Sequence, residues 1–247
     1  MNEKRTHTFI PALLFWTALW WLAAVLFGNA LLLPAPHRVF LCLLRLAATK
    51  VFWQTLALSI ARILLGITSA TALGILLAVI TTRSRFADAL IAPALTAMQA
   101  VPVASFAILV LIWLARDWVP VLICAMIVLP VIWSGVSAGI RAADPRLLEM
   151  AAVYRLPRSR RVLRIYLPSV MPFFRAACIS ALSLGWKAGI AAEVLTLPRV
   201  SIGRMLSEAK LYLLTEELFA WTLAIIVLSL LLQRITFHLL KRGDRDA

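Results

Sequence analysis

Six long apolar segments, separated by short polar stretches, constrain the fold of this chain more than any other feature. A helix needs about 20 apolar residues to cross roughly 30 Å of hydrocarbon. The approximate bounds of the segments are 8–28, 52–81, 87–115, 118–140, 168–195 and 217–240. With 63% hydrophobic and 15% charged residues over 247 positions, the chain lacks the polar surface of a soluble domain. The pattern predicts an all-α membrane protein.

The first apolar segment follows a basic start and therefore looks like a signal peptide. Its apolar run, from about residue 9 to residue 28, is longer than the roughly 7–15 residues typical of a secretory signal. We expect this segment to be retained as the first span.

The third apolar segment contains Pro93 and Pro102, and the fourth contains Pro130. Proline removes a backbone hydrogen bond and kinks a helix. We expect kinks in both spans, and the third span is open to being two shorter pieces that meet near residues 99–105.

Basic residues are unequally divided between the two sides of the predicted membrane protein. Six spans put both termini on one side, and this side carries about twice as many Lys and Arg residues as the other. Because cytoplasmic loops hold the excess of Lys and Arg, we expect both termini in the cytoplasm. The net charge of +14 then reports topology and contact with membrane lipid, and no nucleic acid partner is expected.

The longest cytoplasmic loop is unusually basic although both its flanks are apolar. We call residues 141–167 the arginine loop, with seven arginines: Arg141, Arg146, Arg155, Arg158, Arg160, Arg161 and Arg164. Asp144 and Pro145 are typical of an N-cap and a first helical position. The helix should end at about 155–156 because Pro157 disfavours α geometry in the residue before it. Pro157 then starts a second helix, which predicts a helix-turn-helix across the cytoplasmic face.

The arginine loop contains EMAAVYRLPRSRRVLRIYLP, which resembles the EAA loop of ABC-importer inner-membrane permeases. That loop reads roughly Glu-Ala-Ala, three residues, Gly, then a variable stretch to Ile/Val-x-Leu-Pro. Here Glu149 holds the acidic position, Ala151 the second alanine position, and residues 165–168 the closing one. Arg155 stands at the usual glycine position, and we expect the Leu156-Pro157 pair to make the turn instead.

Three further stretches resemble the nitrate/sulfonate/taurine type of these permeases: GIRAADPRLLEM, WKAGIAAEVL and IGRMLSEAKLYLLTEELFAW. The resemblance covers about residues 50–240. It implies one permease domain over residues 1–247, with a MetI-like fold of about six transmembrane helices and a cytoplasmic helical coupling loop at 141–167. It also implies a bacterial inner-membrane location.

The same resemblance implies a set of partners. The loop helix would dock on a separate ABC ATPase present in two copies, a second permease copy would complete a homodimer, and a substrate-binding protein would sit outside. Because this chain has no G-x-x-x-x-G-K-[ST] motif, ATP and Mg would belong to the ATPase. No cofactor and no enzyme activity are expected in this chain. The expected coupling residues are Glu149, Ala151, Ala152, Arg155, Leu156, Pro157 and Arg158.

Four charged residues lie deep in apolar sequence, where charge costs about 2.5–3.5 kcal/mol on insertion scales. They are Arg62, Arg175, Lys187 and Glu193. We expect structural roles for the first two. Lys187 either contacts an anionic solute on the translocation path or is a structural or snorkelling side chain. Glu193, near the end of its span, is expected to pair with another span or a second subunit, or to contact a gate, and it is counted with Lys187, Gln99 and Ser105 among the candidate residues of the translocation path. Gln99 and Ser105 offer hydrogen bonds either to a solute or to neighbouring helices.

The segment at 196–216 has an amphipathic part, from Ile202 to Leu214, expected to lie on the outer membrane surface or to line the mouth of a path. Two other functions fit a polytopic membrane protein. A secondary transporter predicts inverted repeats and a mid-membrane ion site, and neither is evident. A membrane-embedded enzyme needs a catalytic set, whereas the three histidines and three cysteines are scattered without metal-ligand spacing. We therefore expect no catalytic and no metal site.

Overall fold

The computed structural model describes the backbone of residues 3–242, and the side chains of residues 11–238 other than Leu13. These residues form helices and turns, with no β-strand among them. The helices are α1 (Glu3–Phe27), α2 (Pro36–Ala47), α3 (Lys50–Arg83), α4 (Arg85–Ala100), α5 (Val103–Val110), α6 (Val119–Arg141), α7 (Pro145–Val153), α8 (Arg158–Arg161), α9 (Leu167–Thr196), α10 (Ile202–Leu211) and α11 (Thr215–Arg242). Residues 1–2 and 243–247 lie outside the described part, so the placement of both termini on one side stays a prediction.

Each of the six predicted segments contains a helix, and the all-α membrane protein is confirmed. Four helices in the described residues are long and apolar enough to cross a membrane: α3, α6, the continuous helix from α8 through α9, and α11. α4 and α5 make a fifth candidate only as a pair bent by 103°. In α1 the apolar helix with described side chains runs from Leu14 to Phe27, shorter than a full crossing.

The break between α4 and α5 lies where two shorter pieces were predicted to meet. Val101 and Pro102 both have extended backbone, with ψ of 124° and 121°. Because Pro102 disfavours α geometry in the residue before it, Val101 cannot continue α4. Pro93 and Pro130 lie inside α4 and α6 without ending either helix. Of these three prolines, only Pro102 marks a break.

α3, α6 and α9 form the centre of the bundle, where small residues allow close approach. α3 presents Gly66, Ala70, Gly74 and Ala78 along one buried face. A Cβ added at Gly66 would lie 2.6 Å from the carbonyl oxygen of Val121 in α6, so only glycine permits this contact. Small residues at interfaces are typical of packed membrane helices. This packing sets how α3 and α9 face each other.

The bundle has two distinct ends. We call the first the loop end: it holds the arginine loop and the α3–α4 junction, joined by an ion pair of 3.5 Å between Arg141 and Asp88. The second, the network end, holds the starts of α3 and α6, the end of α9, and α10. α10 packs on the bundle through one face, on which Ile202, Gly203 and Ala209 are buried. Its position on the outer surface or at the mouth of a path stays a prediction.

Candidate functional site

α7 is the helix predicted at the start of the arginine loop. The Asp144 carboxylate accepts a hydrogen bond from the backbone N–H of Arg146 at 2.8 Å, and Pro145 occupies the first turn. This N-cap is the one the sequence indicates. The helix ends at Val153, two to three residues earlier than predicted.

The end of α7 is set by Arg155, which adopts the left-handed region with φ of 47°. The N–H of Leu156 donates to the carbonyl of Ala151 at 2.9 Å, and the N–H of Arg155 donates to that of Ala152 at 3.0 Å. These are the two hydrogen bonds of a Schellman motif. The expectation that Leu156 and Pro157 replace the glycine turn is therefore wrong. Arg155 itself takes the conformation that favours glycine.

The second half of the arginine loop is not a separate helix. α8 runs through a π-helical turn, Val162–Tyr166, directly into α9, and the whole stretch Arg158–Thr196 is continuous. The predicted start of the fifth apolar segment, at about residue 168, thus falls inside a helix. The helix-turn-helix prediction is correct for α7 and wrong for its partner, which is the beginning of a span.

The predicted coupling residues divide into inward and outward sets. Ala151 is fully buried and packs with Ala143 and Ile165, while Leu148, Leu156 and Tyr166 surround this small cluster. The exposed members of the set are Glu149, Ala152, Arg155, Pro157 and Arg158. Large apolar side chains of α7 and its C-cap are also exposed: Leu147, Met150, Val153 and Tyr154. α7 therefore has one anchored face and one free apolar face that carries Glu149 at its edge.

Glu193 lies at the other end of the bundle, in a buried hydrogen-bond network. We call the side chains of Ser59, Arg62, Asp117 and Glu193, with the backbone of Gly203, the Glu193 network. Glu193 is 0% exposed. Its Oε2 accepts from the Ser59 hydroxyl at 2.8 Å and from the Gly203 N–H at 3.3 Å, and its Oε1 lies 3.5 Å from Arg62 Nη1.

Arg62 joins this carboxylate to two further groups. Its Nη1 donates to the Val200 carbonyl at 2.7 Å and its Nη2 to Asp117 Oδ1 at 3.0 Å. The network thus connects α3, α9, the start of α10 and the connector before α6. A buried carboxylate with this many partners is a structural joint, since leaving either charge unpaired is costly.

Three of the four predicted path residues are exposed: Lys187, Gln99 and Ser105. α5 packs through Ala107 and Val110 on Ala188, next to Lys187, so the α4–α5 bend and this part of α9 are neighbours. Glu193 is turned away, forms no ion pair with Lys187, and has no surface from which to contact a solute in this conformation. Contact of the other three with a solute stays a prediction.

The gap beside the α4–α5 bend is small. It has a volume of about 10 Å³ and lies between Met98, Val101 and Phe106 on one side and α6 on the other. This is room for about one water molecule. A single chain in this conformation therefore offers no solute-sized passage at the bend.

Sequence analysis missed three members of the Glu193 network: Ser59, Asp117 and Gly203. For Ser59 a signal was present, because residues 59 and 62 are one helical turn apart and share a face of α3. Asp117 lies in a connector and Gly203 acts through its backbone, and nothing in their sequence context pointed to Glu193.

An open pocket of about 570 Å³ lies between α2 and the start of α11. Its charged lining consists of Arg38, Arg45, Glu216 and Glu217, and none of the predicted site residues reaches it. Within the described part of the chain, no group of three His, Cys, Asp or Glu side chains is placed to hold a metal ion.

The structure is a bundle of apolar helices with a short anchored helix, α7, in the connection between two of them. Comparison with known proteins gives the family. The family model of the binding-protein-dependent transport system inner membrane component matches residues 70–243, and the chain belongs to this family.

Relatives cover most of the chain. It is 27% identical over 222 residues to the taurine transport system permease protein TauC of Escherichia coli (strain K12), which is 87% of this chain and 80% of that protein. It is 30% identical over 229 residues to the putative aliphatic sulfonates transport permease protein SsuC of the same strain, covering 91% and 86%. The bicarbonate transport system permease protein CmpB of Synechococcus elongatus is 24% identical over 197 residues, covering 74% and 66%.

A solved structure shares the fold. The crystal structure of an amino acid ABC transporter with histidines aligns with a TM-score of 0.60 at 13% identity, covering 80% of this chain and 94% of that one. The resemblance to permeases of the nitrate/sulfonate/taurine type is thus confirmed. The chain is a permease subunit of an ABC importer, and the ion-coupled transporter alternative is not supported. Permease subunits of this family are not themselves enzymes.

Proposed function

We propose that this chain, with a second copy of itself, forms the path by which a small anionic solute enters the cell, driven by separate ATPase subunits that bind the arginine loop. α7 is the observation that carries the proposal. It is capped at Asp144, closed by a Schellman turn at Arg155, and anchored through Ala151. A short rigid helix between two spans transmits a rigid-body push.

The energy source in this proposal is another chain. Two ATPase subunits hold ATP and Mg, and this chain contributes no cofactor-binding residue and no catalysis. Each ATPase receives the exposed apolar face of one α7, with Glu149 at the edge of the contact. A substrate-binding protein delivers the solute to the network end.

This arrangement puts the loop end and both termini in the cytoplasm of a bacterial cell, in agreement with the excess of basic residues. Thiol labelling tests it with a membrane-impermeant maleimide and two exposed positions, one per end. Ser159→Cys should react only after the cells are permeabilised, and Arg199→Cys should react in intact cells. If instead Ser159→Cys reacted in intact cells and Arg199→Cys only after permeabilisation, the loop end would lie outside the cell. This result would contradict docking of an ATPase on α7.

The solute class follows from the relatives and from one side chain. The relatives are named for the transport of taurine, aliphatic sulfonates and bicarbonate. Lys187 is exposed on α9 beside the bend that carries Gln99 and Ser105. We place these three residues on the path. In this proposal the passage forms between two copies, and the gap of only about 10 Å³ within one chain supports this arrangement.

Docking is tested by making one exposed residue of α7 bulky. Ala152→Trp should reduce recovery of the ATPase when the chain is purified in mild detergent, because the new ring occupies the contact face. Ala142→Trp is the matched control, since Ala142 is exposed at the same end but outside α7. Ala151 is unsuitable because it is fully buried. Equal recovery from both variants would contradict docking on α7.

Coupling is tested at Glu149. Glu149→Lys reverses the one exposed acidic charge of α7 and should stop uptake while leaving the chain inserted in the membrane. Normal uptake by this variant would remove Glu149 from the contact.

The path is tested at Lys187. Lys187→Ala should reduce uptake of taurine or bicarbonate at limiting concentration without loss of bound ATPase, and Lys187→Arg should retain part of the uptake. Lys210→Ala, at an exposed lysine of α10, is the control. If Lys187→Ala takes up solute as well as the control does, Lys187 is only a structural or snorkelling residue.

A further inference from the structure

Arg161 differs from the other arginines that follow α7. Its side chain is half-buried, whereas those of Arg158, Arg160 and Arg164 are exposed. Its Nε donates to the carbonyl of Leu156 at 3.1 Å, and its Nη2 donates to the carbonyl of Ala151 at 3.3 Å. One guanidinium therefore reaches back across the turn and holds the end of α7.

The two carbonyls that Arg161 binds need partners. The Ala151 carbonyl lies in the last turn of α7, where carbonyl groups lack intrahelical donors and a cation is favoured by the helix dipole, and the Leu156 carbonyl lies in the turn that follows α7. The Ala151 carbonyl already accepts from Leu156 N–H in the Schellman motif, and Arg161 supplies its second donor. The planar guanidinium, with several donors in fixed directions, suits this double contact better than an ammonium group does.

Arg161 belongs to the helix that becomes α9. α8, the π-helical turn and α9 are continuous, so a side chain on α8 moves with the span. Apart from this side chain, α7 is joined to that helix by the turn at 154–157 and by the cluster of Ala143, Ala151 and Ile165. The guanidinium, through its hydrogen bonds to Leu156 and Ala151, links the start of this helix to the turn and to the last turn of α7. These hydrogen bonds resist bending of the turn, so a displacement of α7 also displaces α9.

We propose that Arg161 is the positioning residue that couples α7 to α9 in the transport cycle. The inference rests on the proposed function, since it requires that an ATPase moves α7. Arg161 touches neither solute nor nucleotide in this proposal. It acts by keeping α7 and α9 one rigid unit, while the exposed arginines around it leave that unit unchanged.

The first measurement needs the permease alone. Arg161→Met removes all side-chain donors and keeps an unbranched apolar stem, and Arg160→Met is the matched control at an exposed neighbour. In lipid nanodiscs, hydrogen exchange of the Leu156 amide should be at least about tenfold faster in Arg161→Met, in line with the loss of hydrogen bonds from a charged donor. Arg160→Met should exchange like the wild type.

The second measurement uses the transporter reconstituted with its ATPase and its substrate-binding protein, with taurine as the probe solute. Arg161→Met should lower the number of solute molecules moved per ATP, with ATPase still bound, whereas Arg160→Met should not. Arg161→Lys, which keeps the charge and can reach one carbonyl, should recover part of the ratio. Arg161→Lys also tests the coupling role if Arg161→Met inserts poorly into the membrane.

Each result decides for or against the inference. Equal exchange at Leu156 in the two methionine variants overturns the contact itself. Faster exchange with an unchanged ratio of solute to ATP makes Arg161 purely structural and overturns its role in coupling. If the wild-type transporter moves no solute with ATP, the proposed function fails first and the inference falls with it, whatever exchange shows.

Discussion

The two ends of the bundle both carry charge and handle it in opposite ways. At the network end, Glu193 is fully buried and is bound by Ser59 and Arg62, which are 134 and 131 positions away in the chain. At the loop end, Arg141 pairs with Asp88 and Arg161 binds carbonyls. The other five arginines are exposed, with no ion pair or side-chain hydrogen bond in the described part of the chain: Arg146, Arg155, Arg158, Arg160 and Arg164.

The difference shows what each set of charges is for. A charge removed from water must be neutralised within the fold, because an unpaired buried charge costs several kcal/mol. An exposed charge stays hydrated and needs no partner in its own chain. The network end is therefore a joint that holds helices together. The loop end keeps its charges available for a soluble partner or for lipid headgroups.

The largest expected effect on stability comes from removing the carboxylate of the Glu193 network. Glu193→Ala leaves the Ser59 hydroxyl and the Gly203 N–H without their acceptor and takes one of three acceptors from Arg62, which keeps Asp117 and the Val200 carbonyl. This should lower stability by about 3–5 kcal/mol, as for other buried polar groups left unpaired. The measurement is the thermal unfolding midpoint in detergent, followed by tryptophan fluorescence. Glu208→Ala, which breaks the exposed pair with Arg204, should cost only about 0.3–0.5 kcal/mol. Equal midpoints for the two variants would mean that the buried network is no stronger than a surface pair.

A smaller loss of stability is expected from adding a methyl group beside the Glu193 network without removing a charge. In Gly203→Ala the new Cβ would overlap the backbone of Glu193 and Val194, so α10 must move off α9. Overpacking of this kind costs about 1–3 kcal/mol. Gly74→Ala, where the nearest atoms are 3.1 Å away, is the milder comparison and should lower the midpoint less. If Gly203→Ala is tolerated as well as Gly74→Ala, the contact between α10 and α9 is looser than the structure indicates.

At the loop end one substitution should increase stability. Arg155→Gly relieves a left-handed residue, and the relief exceeds the added chain entropy by about 0.5–1 kcal/mol. Slower hydrogen exchange at the Leu156 amide would report it. Arg158→Gly, placed in α8, should have the opposite sign because glycine is unfavourable inside a helix. Destabilisation by Arg155→Gly would show that the Arg155 side chain has a stabilising contact.

The smallest effect on stability is expected from neutralising the exposed arginines together. Replacing Arg158, Arg160 and Arg164 by Gln should shift stability by no more than about 0.5 kcal/mol, as for other surface changes. Capture of the ATPase should nevertheless become less sensitive to salt, since exposed charges act through screened long-range attraction. A large loss of stability in this triple variant would mean that the exposed arginines of the loop end stabilise the fold, as the buried charges of the network end do.

Prediction from sequence succeeded where the cause is local. The Asp144 cap, the helix start at Pro145 and the break before Pro102 each depend on sterics and hydrogen bonds among residues one to three positions apart. The prediction for the end of α7 is wrong for a reason that involves packing. Arg155 was judged unfit for a glycine conformation, but the Schellman hydrogen bonds and the packing of Leu156 on Ala151 hold it there.

The candidate site was only partly accessible to such reasoning. Ala151 and Ala152 are adjacent in the sequence, and only the packed structure shows that the first packs on Ile165 at the start of the long helix and the second is exposed. Likewise Lys187 and Glu193 are both charged residues of one apolar helix. One lies on the surface and the other is enclosed by α3 and α10.

The amino-acid sequence by itself determined the membrane class, the helical segments, the excess of basic residues on one side and the resemblance to importer permeases. Each of these features depends on composition, on spacing along the chain, or on residues a few positions apart. Only the tertiary structure decided that Glu193 pairs with Ser59 and Arg62, and that Arg161 turns inward among exposed arginines. Such partners are chosen by how helices pack, and packing joins residues whose separation along the chain carries no signal.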